Sequence, residues 1–200
     1  NFFPSKQLRL NFRKTHKINK SDIIFGYAGR YAKQKNIPNL LLAFSKIIKN
    51  YNNVYLYMAG KDINSQNKEL ITYSNKLKIE KKVFFLNEQK SLLKFYNGID
   101  LLILTSHSES FPNVIAESML CSTPVLSSDA GCSKIIINDY GFILGKNDYQ
   151  SIFKNMNKVI NFFMNNKSEW RLLKKKSRLQ IKKNFSIPNM ANSYLKKWIF

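Results

Sequence analysis

Short apolar runs alternate with amphipathic stretches along the chain. Residues 23–29 read as a buried strand closed by a glycine. Over residues 37–51 the apolar positions Leu40, Leu41, Phe44, Ile47 and Ile48 share a helical face, and Pro38 is tolerated in the first turn. The same reading predicts strands at 54–59, 83–86, 100–105, 124–127 and 141–144, and helices at 67–77, 91–96 and 112–121. Residues 148–200 are helical by pattern, with Pro188 as a break. Strand then helix, repeated through short links, predicts an α/β fold: a Rossmann-like parallel sheet with helices on both faces. Such sheets bind ligands beyond the carboxyl ends of their strands. The candidate loops are therefore 29–36, 60–64, 106–113 and 128–133.

Charge adds a second layer. The 200 residues carry 33 basic and 12 acidic side chains, a net +21. From 151 to 200 there are ten Lys and two Arg against one acid, Glu169, whereas 101–150 holds two Lys against five acids. Such an excess suits an acidic small molecule, a nucleic acid or an anionic membrane, and it equally suits a lysine-solvated surface. Residues 167–183 set eight basic residues among Trp170, Leu172, Leu173, Leu179 and Ile181. That stretch reads as the charged face of a packed helix, or as a contact for an anionic leaflet.

Other chemistries are set aside by absence of pattern. Cys121 and Cys132 lack the spacing of a zinc or redox pair, which fits a reduced compartment. No apolar run reaches the roughly 18 residues of a membrane span. Residues 1–20 are polar and basic, without the apolar core of a signal peptide, so a cytoplasmic location is expected. The dispersed glycines form neither G-x-x-x-x-G-K-[ST] nor G-x-G-x-x-G, and no D-x-D or H-E-x-x-H occurs, so no metal site is expected. Ser106, Ser108 and Ser110 do not form a hydrolase nucleophile elbow. His107 is retained as a candidate because it lies in the richest loop.

That loop and the helix after it read T-S-H-S-E-S-F-P-N-V-I-A-E over residues 105–117. A helix beginning near Pro112 directs the N–H groups of Asn113, Val114 and Ile115 back toward Glu109, which favours an anion such as a diphosphate. Glu117 would lie about 7 Å inside the helix, where its carboxylate can accept two hydroxyl hydrogen bonds of the kind a ribose offers. Glu109, with seven residues between it and Glu117, could hold sugar hydroxyls on the other side of the phosphates. The alternative is that Glu109 is a helix-start acid and Glu117 a solvated helix residue.

This segment resembles the Glu-x7-Glu signature of retaining glycosyltransferases, in the large family-four group with the two-Rossmann (GT-B) architecture. Gly29-Arg30 with Lys35 is similar to that family's G-R-x4-K stretch, Tyr57-Met58-Ala59-Gly60 to its second strand and turn, and Val83-Phe84-Phe85-Leu86 to V-x-F-L-G. Asp100 to Ser106 followed by Glu109-Ser110-Phe111-Pro112 resembles D-x-x-x-x-P-S-x-x-E-G-F-P. Glu117-Ser118-Met119 with Pro124-Val125 resembles E-A-M-x-x-G-x-P-V, and Asn184-Phe185-Ser186 the step before the last helix. The likeness runs from Ile23 to about Trp198.

The resemblance implies roles. Gly29, Arg30 and Lys35 would hold the donor diphosphate, with Arg30 and Lys35 stabilising it as a leaving group. Glu109 would contact the transferred sugar. Phe111, Pro112, Asn113 and Val114 would line the sugar and phosphate pocket, and Glu117 would bind the ribose. The base would lie near the Gly60 turn and the strand at 83–86. Transfer would proceed with retention and without a metal, from a nucleotide-diphosphate sugar to a glycan or lipid-linked acceptor, as in polysaccharide or lipopolysaccharide biosynthesis. Three departures stand out: Asn36 and Ser122 where glycine is usual, and a G-G-x-x-E stretch reduced to Gly131 and Cys132, with Ile135 near the expected acid.

The implied organisation is an N-terminal extension (1–20), a nucleotide-sugar-binding domain (21–165) and C-terminal helices (166–200). The last of these, with Met190, Tyr194, Trp198 and Ile199, would return toward an N-terminal Rossmann domain that this chain lacks. Such a half would bind nucleotide and transfer little alone. A basic nucleic-acid-binding α/β domain and a non-catalytic remnant are the competing readings. The acidic middle of the chain and the lack of a known module argue against nucleic acid.

Overall fold

The computed structural model describes residues 2–186, 188, 189 and 195. Six parallel strands form one sheet: β1 (Ile23–Ala28), β2 (Val54–Ala59), β3 (Val83–Phe85), β4 (Leu101–Leu104), β5 (Val125–Ser128) and β6 (Phe142–Leu144). They lie close to the predicted bounds. Their order is β3-β2-β1-β4-β5-β6. The chain therefore builds outward from β1 in one direction and then resumes beside it with β4. At that reversal the loops leaving β1 and β4 diverge, and a crevice opens at their carboxyl ends.

The inner strands β1, β4 and β5 are buried on both faces, as expected of a parallel sheet covered by helices. All six residues of β1 are buried. Ile23, Phe25 and Tyr27 join the core under α2 (Ile37–Asn50) and α7 (Tyr149–Asn165), while Ile24 and Ala28 join the opposite core. The stripe predicted for α2 is the one observed, since Leu40, Leu41, Phe44 and Ile47 are fully buried. The second core gathers α4 (Leu93–Gly98) and α5 (Asn113–Leu120).

The termini differ from expectation. Residues 1–20 contain a helix, α1 (Lys6–Thr15), rather than only an extension. The Ser5 side chain caps it by accepting the Leu8 N–H at 3.2 Å. Phe12 enters the second core, its ring 5.8 Å from Tyr57 and 6.2 Å from Phe95. Arg9 and Arg13 reach Asp100 at 2.6 and 3.4 Å. One aromatic and two arginines tie this helix down, so no apolar stripe announces it.

At the other end the helical run is cut at Asn166 into α7 and α8 (Lys167–Asn184). Trp170 folds back there against Phe142, Phe162 and Phe163, at 5.1–6.4 Å between ring centres. Trp170 belongs to one core and Ile181 to the other, so α8 spans both layers. Met190, Tyr194, Trp198 and Ile199 lie outside the described residues. Two remaining helices are α3 (Lys68–Lys76), as predicted, and the unpredicted α6 (Ser133–Ile137).

Candidate functional site

The four candidate loops meet at the rim of the sheet. Gly60, after β2, has φ +147°, and a Cβ there would stand 2.0 Å from the Gly29 carbonyl oxygen. Only a glycine lets these two strand ends touch. Gly131, with φ +56°, would place a Cβ 2.0 Å from the Glu109 carbonyl oxygen and 2.6 Å from that of Ser110. The turn after β5 is thereby pressed against the loop after β4, and the Cys132 N–H donates to the Ser110 carbonyl at 3.1 Å.

The loop after β1 closes on the loop after β4 through a set of polar contacts. The Lys35 ammonium lies 2.5 Å from Glu109 Oε1, both side chains being largely shielded from solvent. The Ser106 hydroxyl donates to the same oxygen at 2.6 Å. The Thr105 hydroxyl donates to the Lys35 carbonyl at 3.0 Å, and the His107 N–H to the Gln34 carbonyl at 2.7 Å. Asn147 clamps this arrangement from the β6–α7 loop: its amide donates to the carbonyls of Thr105 (2.8 Å) and Ser106 (3.1 Å). Ser128 adds a 2.6 Å bond to the Ser106 carbonyl. The Asn36 amide in turn donates to the Asn147 carbonyl at 2.7 Å.

Arg30 stands at the same rim. Its carbonyl accepts from the buried Tyr27 hydroxyl at 3.2 Å, while its exposed guanidinium makes no ion pair among the described residues. Burial, and then the charge of Glu109, push the Tyr27 phenol far above its ordinary pKa, so it remains a proton donor. Pro112 is the residue before α5 rather than its first member, and no side chain caps the helix. The N–H groups of Asn113 and Val114 have no partner among the described residues and are open to an anion. Phe111 is 44% exposed and its ring centre lies 5.9 Å from that of Phe185. Glu117, on the second turn of α5, accepts from the Tyr96 hydroxyl at 2.8 Å through Oε2.

The expected residues therefore sort into three groups. Lys35 and Glu109 are in direct contact; Gly29, Arg30, Phe111, Pro112, Asn113 and Val114 occupy the same convergence of loops; Glu117 points into the neighbouring layer toward Tyr96. His107 enters only through its backbone. Sequence reasoning missed Tyr96 and Asn147, and placed Ser128 in a candidate loop without giving it a role. Tyr96 sits in an apolar run that reads as core, and no local pattern marks a serine or asparagine whose partners lie in other loops. A cleft of about 500 Å³ between α8 and Tyr140, and one of about 380 Å³ between α1 and α4, share no residue with the rim.

Two of the three departures have a backbone explanation. Asn36 and Ser122 hold φ of 55° and 57°, the left-handed region where glycine is easiest. Asparagine is the next best tolerated there, and Asn36 adds its bond to Asn147. Ile135, near the position of an expected acid, is 67% exposed on α6.

A family model described as "Glycosyl transferases group 1" matches residues 9–182. The chain belongs to this family. Among curated glycosyltransferases, the capsular polysaccharide biosynthesis glycosyltransferase CapM of Staphylococcus aureus is 29% identical over 152 residues, 74% of this chain and 39% of that one. The chain thus spans well under half the length of the curated glycosyltransferases it matches. Among solved structures, Anabaena HepE in complex with UDP-glucose superposes with a TM-score of 0.84 at 20% identity, over 98% of this chain and 54% of that one. The C-terminal domain of the group 1 protein LpcC from Francisella tularensis superposes with a TM-score of 0.76 at 21% identity. There 93% of this chain covers 96% of that one. The fold is that of the C-terminal half of a two-Rossmann glycosyltransferase.

Proposed function

We propose that this chain is the donor-binding half of a retaining glycosyltransferase that takes its sugar from a nucleoside diphosphate. The observation that carries this reading is the Lys35–Glu109 pair, held between the β1 and β4 loops at the switch point of the sheet. A diphosphate arriving there would meet Arg30, which has no ion-pair partner among the described residues, and Lys35, which would exchange Glu109 for phosphate oxygen. The free N–H groups of Asn113 and Val114 supply further positive potential. As the glycosidic bond breaks, negative charge grows on the departing phosphate oxygen. Fixed cations beside it lower the barrier. Glu109, released from Lys35, accepts hydroxyl hydrogen bonds from the sugar, and Glu117 those of the ribose.

In this reading side chains neutralise the diphosphate and no metal is required. Titration calorimetry with UDP, GDP and ADP is expected to show binding of at least one, unchanged by EDTA. Absence of binding for all three would overturn the reading.

The acceptor, a glycan or a lipid-linked saccharide, would be positioned by a second Rossmann domain facing the rim. The staphylococcal relative's name supports a role in surface polysaccharide assembly. Among the described residues no helix is long and apolar enough to cross a membrane. A peripheral contact at the cytoplasmic face is supported by α8, whose exposed side carries Arg171, Lys175, Lys176, Lys182 and Lys183 around Leu172 and Leu179. Basic helices with interspersed leucines suit an anionic interface. Vesicles rich in phosphatidylglycerol are expected to sediment the protein and phosphatidylcholine vesicles not to, with the binding lost in molar salt. Nucleic acid has no place in this reading, because the rim that binds the phosphates also carries Glu109.

A further inference from the structure

We propose that Tyr96 is a positioning residue that turns Glu117 into a reader of the donor's ribose; this rests on the ribose role proposed above for Glu117. Tyr96 is fully buried on α4, its ring edge-on to Phe95 at 5.8 Å and to Phe2 at 5.7 Å. It is tied at both ends. Its carbonyl accepts from the Thr123 hydroxyl at 2.7 Å, and its own hydroxyl donates to Glu117 Oε2 at 2.8 Å.

A phenol has one proton to give, and here it is committed to Glu117. Burial first, and then the Glu117 charge, raise the phenol's pKa far above its ordinary value, so the donor persists at any working pH. Among the described residues Tyr96 is the only hydrogen-bond partner of the Glu117 side chain. The bond leaves Oε1 unengaged. A glutamate with three rotatable bonds is thereby reduced to one acceptor oxygen in a set direction before any ligand arrives. Ordering that would otherwise be lost on binding is already complete in the free protein. A diol such as ribose benefits from this and a sugar without hydroxyls does not. Tyr96 touches no reacting atom. Its contribution passes entirely through Glu117.

The test compares UDP, GDP and ADP with their 2′,3′-dideoxy counterparts by calorimetry. Wild-type protein is expected to prefer the ribonucleotide. In Tyr96→Phe the ring still fills the core, but Glu117 is freed. Affinity for the ribonucleotide should fall about tenfold, and affinity for the dideoxy form should not change. Tyr96→Met, which fills the same core space without a hydroxyl, should give the same selective loss and serves if Tyr96→Phe does not fold. Tyr96→Phe added to Glu117→Gln should cost nothing further. Equal losses for both nucleotide forms, or no loss, would overturn the proposal while the ribose role stood. A wild-type protein indifferent to the ribose hydroxyls would remove the role of Glu117, and the proposal with it. Failure of all three nucleotides to bind would remove the donor site altogether.

Discussion

Lys35→Ala is expected to weaken nucleoside-diphosphate binding by about 2 kcal/mol, some thirtyfold. In the whole enzyme the transfer rate should fall by about 10²–10³. Among the described residues the Lys35 ammonium is the cation paired at the rim, and its removal acts twice. It deletes attraction for the phosphates, and it leaves Glu109, largely shielded, with the Ser106 hydroxyl as its one remaining partner among the described residues. A carboxylate without its counter-charge then faces the incoming diphosphate. Glu109→Gln is therefore expected to have the opposite sign in binding. Lys35 no longer has to leave an anionic partner, so affinity for the diphosphate rises, although transfer is lost with the sugar contact. The double variant Lys35→Ala/Glu109→Gln should recover part of the affinity that Lys35→Ala loses. Calorimetry with UDP against uridine separates charge from shape, because uridine carries no phosphate and should bind all four proteins alike. Equal losses for UDP and uridine in Lys35→Ala, or weaker UDP binding in Glu109→Gln, would show that the pair does not serve the phosphates.

Much of the architecture was readable because buried parallel strands and the α2 stripe write themselves as apolar runs and a 3.6-residue period. Leu40, Leu41, Phe44 and Ile47 were predicted as a face and are fully buried. The charged candidates were picked out for a different reason: Arg30, Lys35 and Glu109 lie in loops that follow strands and Glu117 in the helix after one of them, where the fold class puts ligands. What escaped notice was structure sustained by a few long-range polar contacts. The helix α1 has Phe12 as its one fully apolar core residue and is otherwise held by two arginines. Asn147 lies far along the chain from Thr105 and Ser106, yet its amide bridges both carbonyls. Tyr96 is the sharpest case. In sequence it continues an apolar run with Phe95, and in the fold the ring is indeed core, while its hydroxyl reaches the Glu117 carboxylate. Composition separates inside from outside, but it cannot say where the one polar atom of a buried side chain ends up.

The second large effect is expected at Asp100, and it concerns stability. Asp100 is 8% exposed and Arg13 7%. The carboxylate takes Arg9 at 2.6 Å, Arg13 at 3.4 Å and the backbone N–H of Ile24 at 2.8 Å. Arg13 also donates to the carbonyls of Asn19 and Asp22, each at 2.7 Å, so it is locked in place and cannot follow a lost partner out to water. Its pKa is held below the usual value, chiefly by burial, which shows the desolvation that Asp100 offsets. Asp100→Ala leaves that buried cation with carbonyl partners alone, and a loss of about 3–5 kcal/mol is expected. This is a large share of a typical domain's stability, and it should lower the midpoint of thermal unfolding by roughly 6–20 °C. Adding Arg13→Met should restore part of it, because an apolar side chain has no charge to leave unpaired. A midpoint within a degree or two of wild type for Asp100→Ala would refute the account. Nucleotide affinity of the folded protein should survive, for a geometric reason. Asp100 precedes β4 and Ser106 follows it, so at about 3.3 Å per residue the two stand roughly 20 Å apart, at opposite ends of the strand. The D-x-x-x-x-P-S stretch that reads as one motif in sequence is therefore two devices. Its acid pins α1 beneath the sheet, and its serine holds Glu109 at the rim.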